Sequence, residues 1–280
     1  MAISTLADVI NGLTPTIPIM KVGAVNSANA PAGHHTYWGH IGVTTSVSWP
    51  AGAWNATLNG VNLVAPVSGQ FVFPDPPAGQ DAYIARAMLG IGVNSGGGVL
   101  IADRIWHNGG FTNALTTPQA IVTPAFPARD DNDSSNGVGY YCVLEVETVV
   151  TGSLFTLNYT NSDGVPNRTA TNTSANGTGR SANGAFIFGL DTGDKGIKSI
   201  ESLTFGTALT TGNVHLVVFR PLAFLATTAM SSNKPYIMDA ISMCMPRIKP
   251  GTVPFLLGCT GNSNPGYVGH LSGEIVMTHG

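Results

Sequence analysis

The sequence predicts an all-β chain, an antiparallel β-sandwich or jelly roll with a short N-terminal helix and a loop-rich N-terminal region. Three observations predict it. Apolar, β-rich runs follow one another from residue 82 onward, φ-permissive turn clusters separate them, and no helical period alternates with them as βα units would require.

In chain order, the helix comes first. Thr5 is a capping residue, Asp8 stands three positions on as a capping box requires, and Leu6, Val9, Ile10 and Leu13 share one face before Asn11-Gly12 stops the helix. Barely two turns long, it is marginal alone, so its apolar stripe is expected to dock on its own β-domain or on a neighbouring subunit. Residues 14–80 hold eight of the 18 prolines and three of the four tryptophans, which marks an extended region with short strands such as 41–47. The strand candidates are then 82–93, 98–106, 139–150, 153–159, 168–173, 185–190, 197–205, 213–219, 255–259 and 270–278. Gly, Asn, Asp and Ser cluster in the gaps at 94–98, 132–137, 162–164 and 191–196. One interruption, 237–245, reads as a short helix before Pro246. This divides the chain into a contact region, 1–80, and a β-sandwich domain, 81–280.

Composition narrows the function. Lys and Arg number 12 and Asp and Glu 15, 10% of the chain, against roughly 25% in an ordinary soluble domain. Spread over the roughly 11,000 Å² of a compact chain this size, that is about one charge per 400 Å² even with every charge outside. Asn, Thr, Ser and 35 Gly supply the polarity instead, and such a surface suits burial against neighbouring copies. No Lys/Arg cluster exists to track phosphates, so nucleic acid is not an expected partner. Apolar stretches such as 216–219 and 254–257 fall far short of the ~20 residues of a membrane span. The opening Met1-Ala2-Ile3-Ser4-Thr5 lacks the basic and apolar regions of a signal peptide.

Cys142, Cys244 and Cys259 lie in apolar settings and read as buried free thiols, with a Cys244–Cys259 disulfide as the other option. Asn-x-Ser/Thr sequons start at Asn55, Asn132, Asn158, Asn167, Asn172 and Asn176, as chance produces in a chain so rich in Asn and Thr. Asp191-Thr192-Gly193 matches the aspartic-protease triplet but occurs once and is followed by Asp194, which favours a turn. Glu145 and Glu147 share a strand face, as a glycosidase pair would, and read as a solvent-exposed pair. His34, His35 and His40 form a packed or interfacial aromatic loop with Tyr37 and Trp38, or a transition-metal site. Asp130, Asp131 and Asp133 offer the carboxylates of a Ca²⁺ loop without its spacing. Trp38, Trp49 and Trp54 anchor their loop or form a platform for sugars. The densest polar stretch, 103–110 with Asp103, Arg104 and His107, reads as a strand end with an Asp103/Arg104 pair, with a functional site as the other option. No catalytic residue, cofactor site or metal site is assigned.

The segments Tyr83-Ile-Ala-Arg86, Asp103-Arg-Ile-Trp-His-Asn-Gly-Gly110, Pro127-Ala-Arg-Asp130, Leu157-Asn-Tyr-Thr-Asn-Ser162, Gly251-Thr-Val-Pro-Phe-Leu256 and Thr278-His-Gly280 follow in order along the chain. In them the sequence resembles a group of tailed-bacteriophage virion proteins, over roughly residues 1–280. The resemblance implies a minor or decorating head protein with a β-sandwich core and no established site residues. The expectation is a non-enzymatic capsid decoration or cementing protein, made in the host cytoplasm and placed on the capsid surface. Its partners are then the major capsid protein and copies of itself, as a homotrimer. The expected interface residues are Leu6, Val9, Ile10, Leu13, Trp38, Trp49 and Trp54. The alternatives are a tail or fibre receptor-binding protein that holds a glycan on those tryptophans, and a jelly-roll glycoside hydrolase using Glu145 and Glu147.

Overall fold

The computed structural model describes residues 3–22, 34–37, 41–43, 57–64, 71–91, 97–146, 153–172, 184–227, 236–242, 244–260 and 270–280. Within them the chain is β-structure apart from one short helix, α1 (Leu6–Asn11). The strands are β1 (Ile17–Val22), β2 (His34–Tyr37), β3 (Ile41–Val43), β4 (Val61–Asn62), β5 (Ala82–Ile91), β6 (Gly97–His107), β7 (Gln119–Ala120), β8 (Tyr141–Val146) and β9 (Phe155–Asn161). There follow β10 (Arg168–Asn172), β11 (Gly184–Ile187), β12 (Ile197–Phe205), β13 (Val214–Thr227), β14 (Tyr236–Asp239), β15 (Arg247–Ile248), β16 (Pro254–Thr260) and β17 (His270–His279).

The largest sheet runs β13-β8-β11-β2-β16-β6-β4, and β13 also pairs with β6. That extra pairing closes six of its strands into an antiparallel ring, a small barrel. Tracing register from Glu145 through Ala185, His34, Cys259 and Gly98 reaches Ala226, eleven positions along β13 from His215, the other partner of Glu145. The strands are therefore strongly staggered. The 14 residues of β13 span this stagger: 214–219 pair with β8 and 217–227 with β6.

Two further sheets pack on the outside of the ring. One, β10-β9-β12-β7, covers Cys142, Leu144, Leu216 and Val218 with Leu157, Tyr159, Leu203 and Phe205. The other, β14-β5-β17-β1-β3 with β15 also on β5, covers Val99, Ile101, Leu225 and Leu256 with Ile84, Leu89, Ile275 and Met277. Alternate residues of the ring strands point the opposite way and fill its interior with Ala102, Val143, Val217, Phe219, Phe255 and Leu257. Burial patterns follow from this layering. β8, covered on both faces, is buried from Cys142 to Val146, whereas β9, in an outer sheet, alternates buried and half-buried residues.

The all-β, face-to-face antiparallel packing matches the predicted sandwich. The pairings describe a closed ring between two sheets; they do not trace the two sheets of a jelly roll. Strands β1, β2 and β4, from the first 80 residues, pair with strands of the remainder, and β3 pairs in parallel with β1.

Three segments differ from expectation. The predicted helix at 237–245 is strand β14 followed by a turn, because the Asp239 carboxylate accepts from the backbone of Ile241 and Ser242, and Cys244 and Met245 take positive φ. The run expected to end at Phe219 continues past Pro221. Proline is tolerated there beside a bulge, where the register shifts between Pro221 and Ala223. His34–Tyr37, read as a loop, is strand β2, hydrogen-bonded to β11 and β16.

Candidate functional site

The helix forms as its sequence dictates. Asp8 N–H donates to Thr5 Oγ1 at 3.2 Å while the backbone of Thr5 and Ser4 donates to Asp8 Oδ2 at 2.8 and 2.9 Å, and those bonds hold the Asp8 carboxyl down at about 2. The helix is attached largely through backbone: Thr278 Oγ1 donates to Val9 O at 2.7 Å, His279 N–H to Gly12 O at 3.0 Å and Thr14 N–H to Met277 O at 2.9 Å. Gly12 permits this approach, since a Cβ there would collide with the His279 carbonyl oxygen. None of its residues is buried: Leu6 is 73% exposed, Ile10 56% and the following Leu13 48%, with Val9 half-buried. The stripe is therefore only partly covered by its own β-domain, with Leu6 and Ile10 exposed. Trp38, Trp49 and Trp54 lie outside the described residues, as do His40 and Glu147.

The densest chemistry lies inside the barrel. Arg104 and Asp103 are not partners, because adjacent strand residues point to opposite faces. Arg104 points inward, where Nη1 donates to both Glu145 oxygens at 2.9 and 3.0 Å, and both side chains have no exposure. The Phe255 ring lies 5.8 Å from the guanidinium carbon. The Glu145 reading as an exposed acid is thus corrected: a face that looks solvent-directed in an open sheet becomes interior when the sheet closes. A bulge at Ile105, where the β6–β13 register skips from Trp106 to Arg104, returns His107 to the interior beside Arg104. Arg104 Nε lies 3.3 Å from His107 Nδ1, and burial, then Arg104, then His215 hold that imidazole down at about 2. His215, paired in register with Glu145, places Nδ1 2.9 Å from Asn108 O. The cluster is sealed, with no more than 4% exposure at any of its four members, and it serves as an internal clamp.

Asp103, on the opposite face, is gripped by Arg129 through Nε at 3.0 Å and Nη2 at 3.1 Å, and by Val253 N–H at 2.9 Å. Arg129 also donates to the carbonyls of Leu63, Arg104 and Gly251, tying four segments together. The Ca²⁺-like aspartates are engaged within the protein. Asp130 accepts from the backbone of Asn132, Ser134, Gly137 and Val138 and from the Ser134 hydroxyl, Asp133 pairs with Arg247 and Lys249, and Asp131 with Arg220. Among the described residues no His, Cys, Asp and Glu gather in a metal-holding group.

The Asp191-Thr192-Gly193 triplet is a turn, with Asp194 N–H bonded to Asp191 O at 3.1 Å and Gly193 at φ +87°. Cys142 is buried as expected. Cys244 is instead exposed and free, because its turn carries it off the sheet, so the Cys244–Cys259 disulfide is not formed. No described helix is long and apolar enough to cross a membrane. Sequence reasoning placed His107 in the dense polar stretch 103–110 without pairing it with Arg104, and it missed His215 and Arg129; the one available signal for His215 was a histidine inside an otherwise apolar strand. No protein family, curated protein or solved structure matches this chain.

Proposed function

We propose that this chain is a non-enzymatic structural protein of a phage particle, decorating or cementing the capsid lattice as a homotrimer through uncharged contacts with the shell protein and with its own copies. The observation that carries this reading is where the few charges sit. Arg104, Arg129, Arg220, Lys249, Asp103, Asp130 and Glu145 are buried, so at most 20 of the 27 charged residues remain for a surface of 12,093 Å². That is about one charge per 600 Å², sparser than composition alone implied. Seven of the twelve cations, Arg86, Arg104, Arg129, Arg168, Arg220, Arg247 and Lys249, are engaged in ion pairs within the chain. Such a surface offers little electrostatic opposition to packing against a neutral neighbour, and the exposed Leu6, Ile10 and Leu13 stripe supplies an apolar contact. The segment-by-segment resemblance to virion proteins points the same way.

The test is quantitative mass spectrometry of purified particles, with copy number compared to the most abundant shell protein. A ratio between about one third and one, the stoichiometry of a component repeated over a symmetric lattice, supports decoration. A ratio near one hundredth moves the assignment to a tail adhesin, and absence removes the virion reading.

A further inference from the structure

We infer that the polar end of the barrel is an acid-operated latch: once the surroundings fall below the histidine range, the seam between the end of β6 and the start of β13 opens so that His107 can take up a proton. This is independent of the virion assignment and rests on the geometry of one cluster.

In the closed barrel His107 Nδ1 faces donors. Arg104 Nε and Nη2 stand 3.3 and 3.2 Å from it, so Nδ1 is the acceptor and the single proton of the neutral ring is on Nε2. Charging the ring means adding a proton at Nδ1, directly against a guanidinium that cannot give one up. Around this pair, Glu145 of β8 accepts two bonds from Arg104 Nη1, Phe255 of β16 packs under the guanidinium, and β4 pairs Val61 in register with His107. His215 of β13 adds a second titratable ring beside Glu145, and β2 brings His34 into register with Ala185, the β11 partner of Glu145. In acid the cluster lowers its free energy by opening.

The place where it opens is set by the seam. His107 ends β6, and Asn108 closes the barrel beyond it: its N–H donates to Leu216 O at 3.1 Å, its Oδ1 accepts from Leu216 N–H at 2.9 Å and its Nδ2 donates to Leu58 O at 2.9 Å. Asn108 O also meets His215 Nδ1. One residue thus fastens β13 and the segment before β4, and Gly109-Gly110 follow it as a permissive exit. Release of Asn108 from Leu216 and Leu58 frees the strand end that carries His107.

A group that is neutral when closed and titrates normally near 6.5 when open raises the open population about tenfold at pH 5.5 relative to pH 7.5. The experiment is amide hydrogen exchange on the full chain at those two pH values, corrected for intrinsic rates. Asn108 and Leu216 report the seam, and Leu157 and Leu203 report the outer sheet. The expected result is about tenfold faster opening at the seam at pH 5.5, through an opening more frequent than that of the reference amides at both pH values, and loss of the pH effect in His107→Gln, whose side-chain oxygen still accepts from Arg104. Equal protection at all four amides would mean that His107 is reached only by whole-chain unfolding and would overturn the latch. So would an unchanged seam, or an undiminished pH effect in the variant. Should His107→Gln fail to fold, the His107 ring resonances of the unaltered protein decide: titration near pH 6 with the seam still protected would overturn the inference.

Discussion

Replacing Glu145 by Gln keeps the shape of the side chain and removes its charge, leaving the Arg104 guanidinium inside the barrel without that anion. Both partners have no solvent exposure, and burial already draws the Arg104 guanidinium down to about 10 while Glu145 holds it up. Removing one member of such a pair costs about 3–5 kcal/mol, because the remaining charge loses its compensation and cannot reach water. A chain of 280 residues unfolds with an entropy of about 0.6 kcal/mol per kelvin, so the melting temperature should fall by about 5–9 °C.

The assay is thermal and urea unfolding of Glu145→Gln, Arg104→Met and the double variant. The double variant carries neither charge of the pair, so it should recover at least half of the loss seen in Glu145→Gln, and the cycle should give a coupling of at least about 2 kcal/mol. A loss below about 1 kcal/mol in Glu145→Gln would refute the reasoning. It would mean that water or another anion reaches the guanidinium and that the ring is not closed around the pair.

Four other outcomes follow from the same geometry. Gly137 has φ +80° and a Cβ there would strike the Ile197 carbonyl oxygen, so Gly137→Ala should lower stability by about 2 kcal/mol or more in urea unfolding. Burial pushes the Asp130 carboxyl up, but bonds from Ser134, Val138 and Asn132 outweigh it and hold it below its ordinary value. Its stabilising contribution is therefore complete above about pH 4 and is lost as pH falls further, so Asp130→Asn should flatten the stability profile below about pH 4. Cys244 should react with an alkylating reagent in the native protein, whereas burial raises the Cys142 thiol and shields it until unfolding, which peptide mapping resolves. Leu6→Ser with Ile10→Ser should change stability by no more than about 0.5 kcal/mol, since both are exposed, yet abolish attachment to particles if the stripe is the lattice contact.

Local rules were legible in the sequence. The helix was readable because Thr5, Asp8 and Gly12 each act within one or two turns, and β12 runs from Ile197 to Phe205 as its pattern and flanking turns predict. Bulges and ring closure were not legible. Ile105 looks like any strand residue, yet as a bulge it decides that Arg104 and His107 share a face. Glu145 finds its cation 41 positions away, and no pattern within β8 announces that its second face is covered. The aspartates near 130 suggested a metal because a turn that offers carboxylates to a cation has the same composition as one that offers them to backbone amides and lysine.

Four charges of a chain poor in charge, Asp103, Arg104, Arg129 and Glu145, sit where they define the barrel. A six-stranded ring can close in more than one stagger, and apolar residues distinguish the alternatives weakly, since Val, Leu and Phe are acceptable on either covered face. A slip of one position along β6 would turn Arg104 into an apolar outer layer and Asp103 into the barrel, separating Arg104 from Glu145 and Asp103 from Arg129 at once. Two opposed ion pairs on adjacent residues therefore penalise every odd slip by the cost of stranding up to four buried charges, several kcal/mol each. The same placement removes those charges from the surface. Specification of the ring and neutrality of the exterior are thus two consequences of one allocation, which accounts for a chain that tolerates so few charged residues and still folds to a defined register.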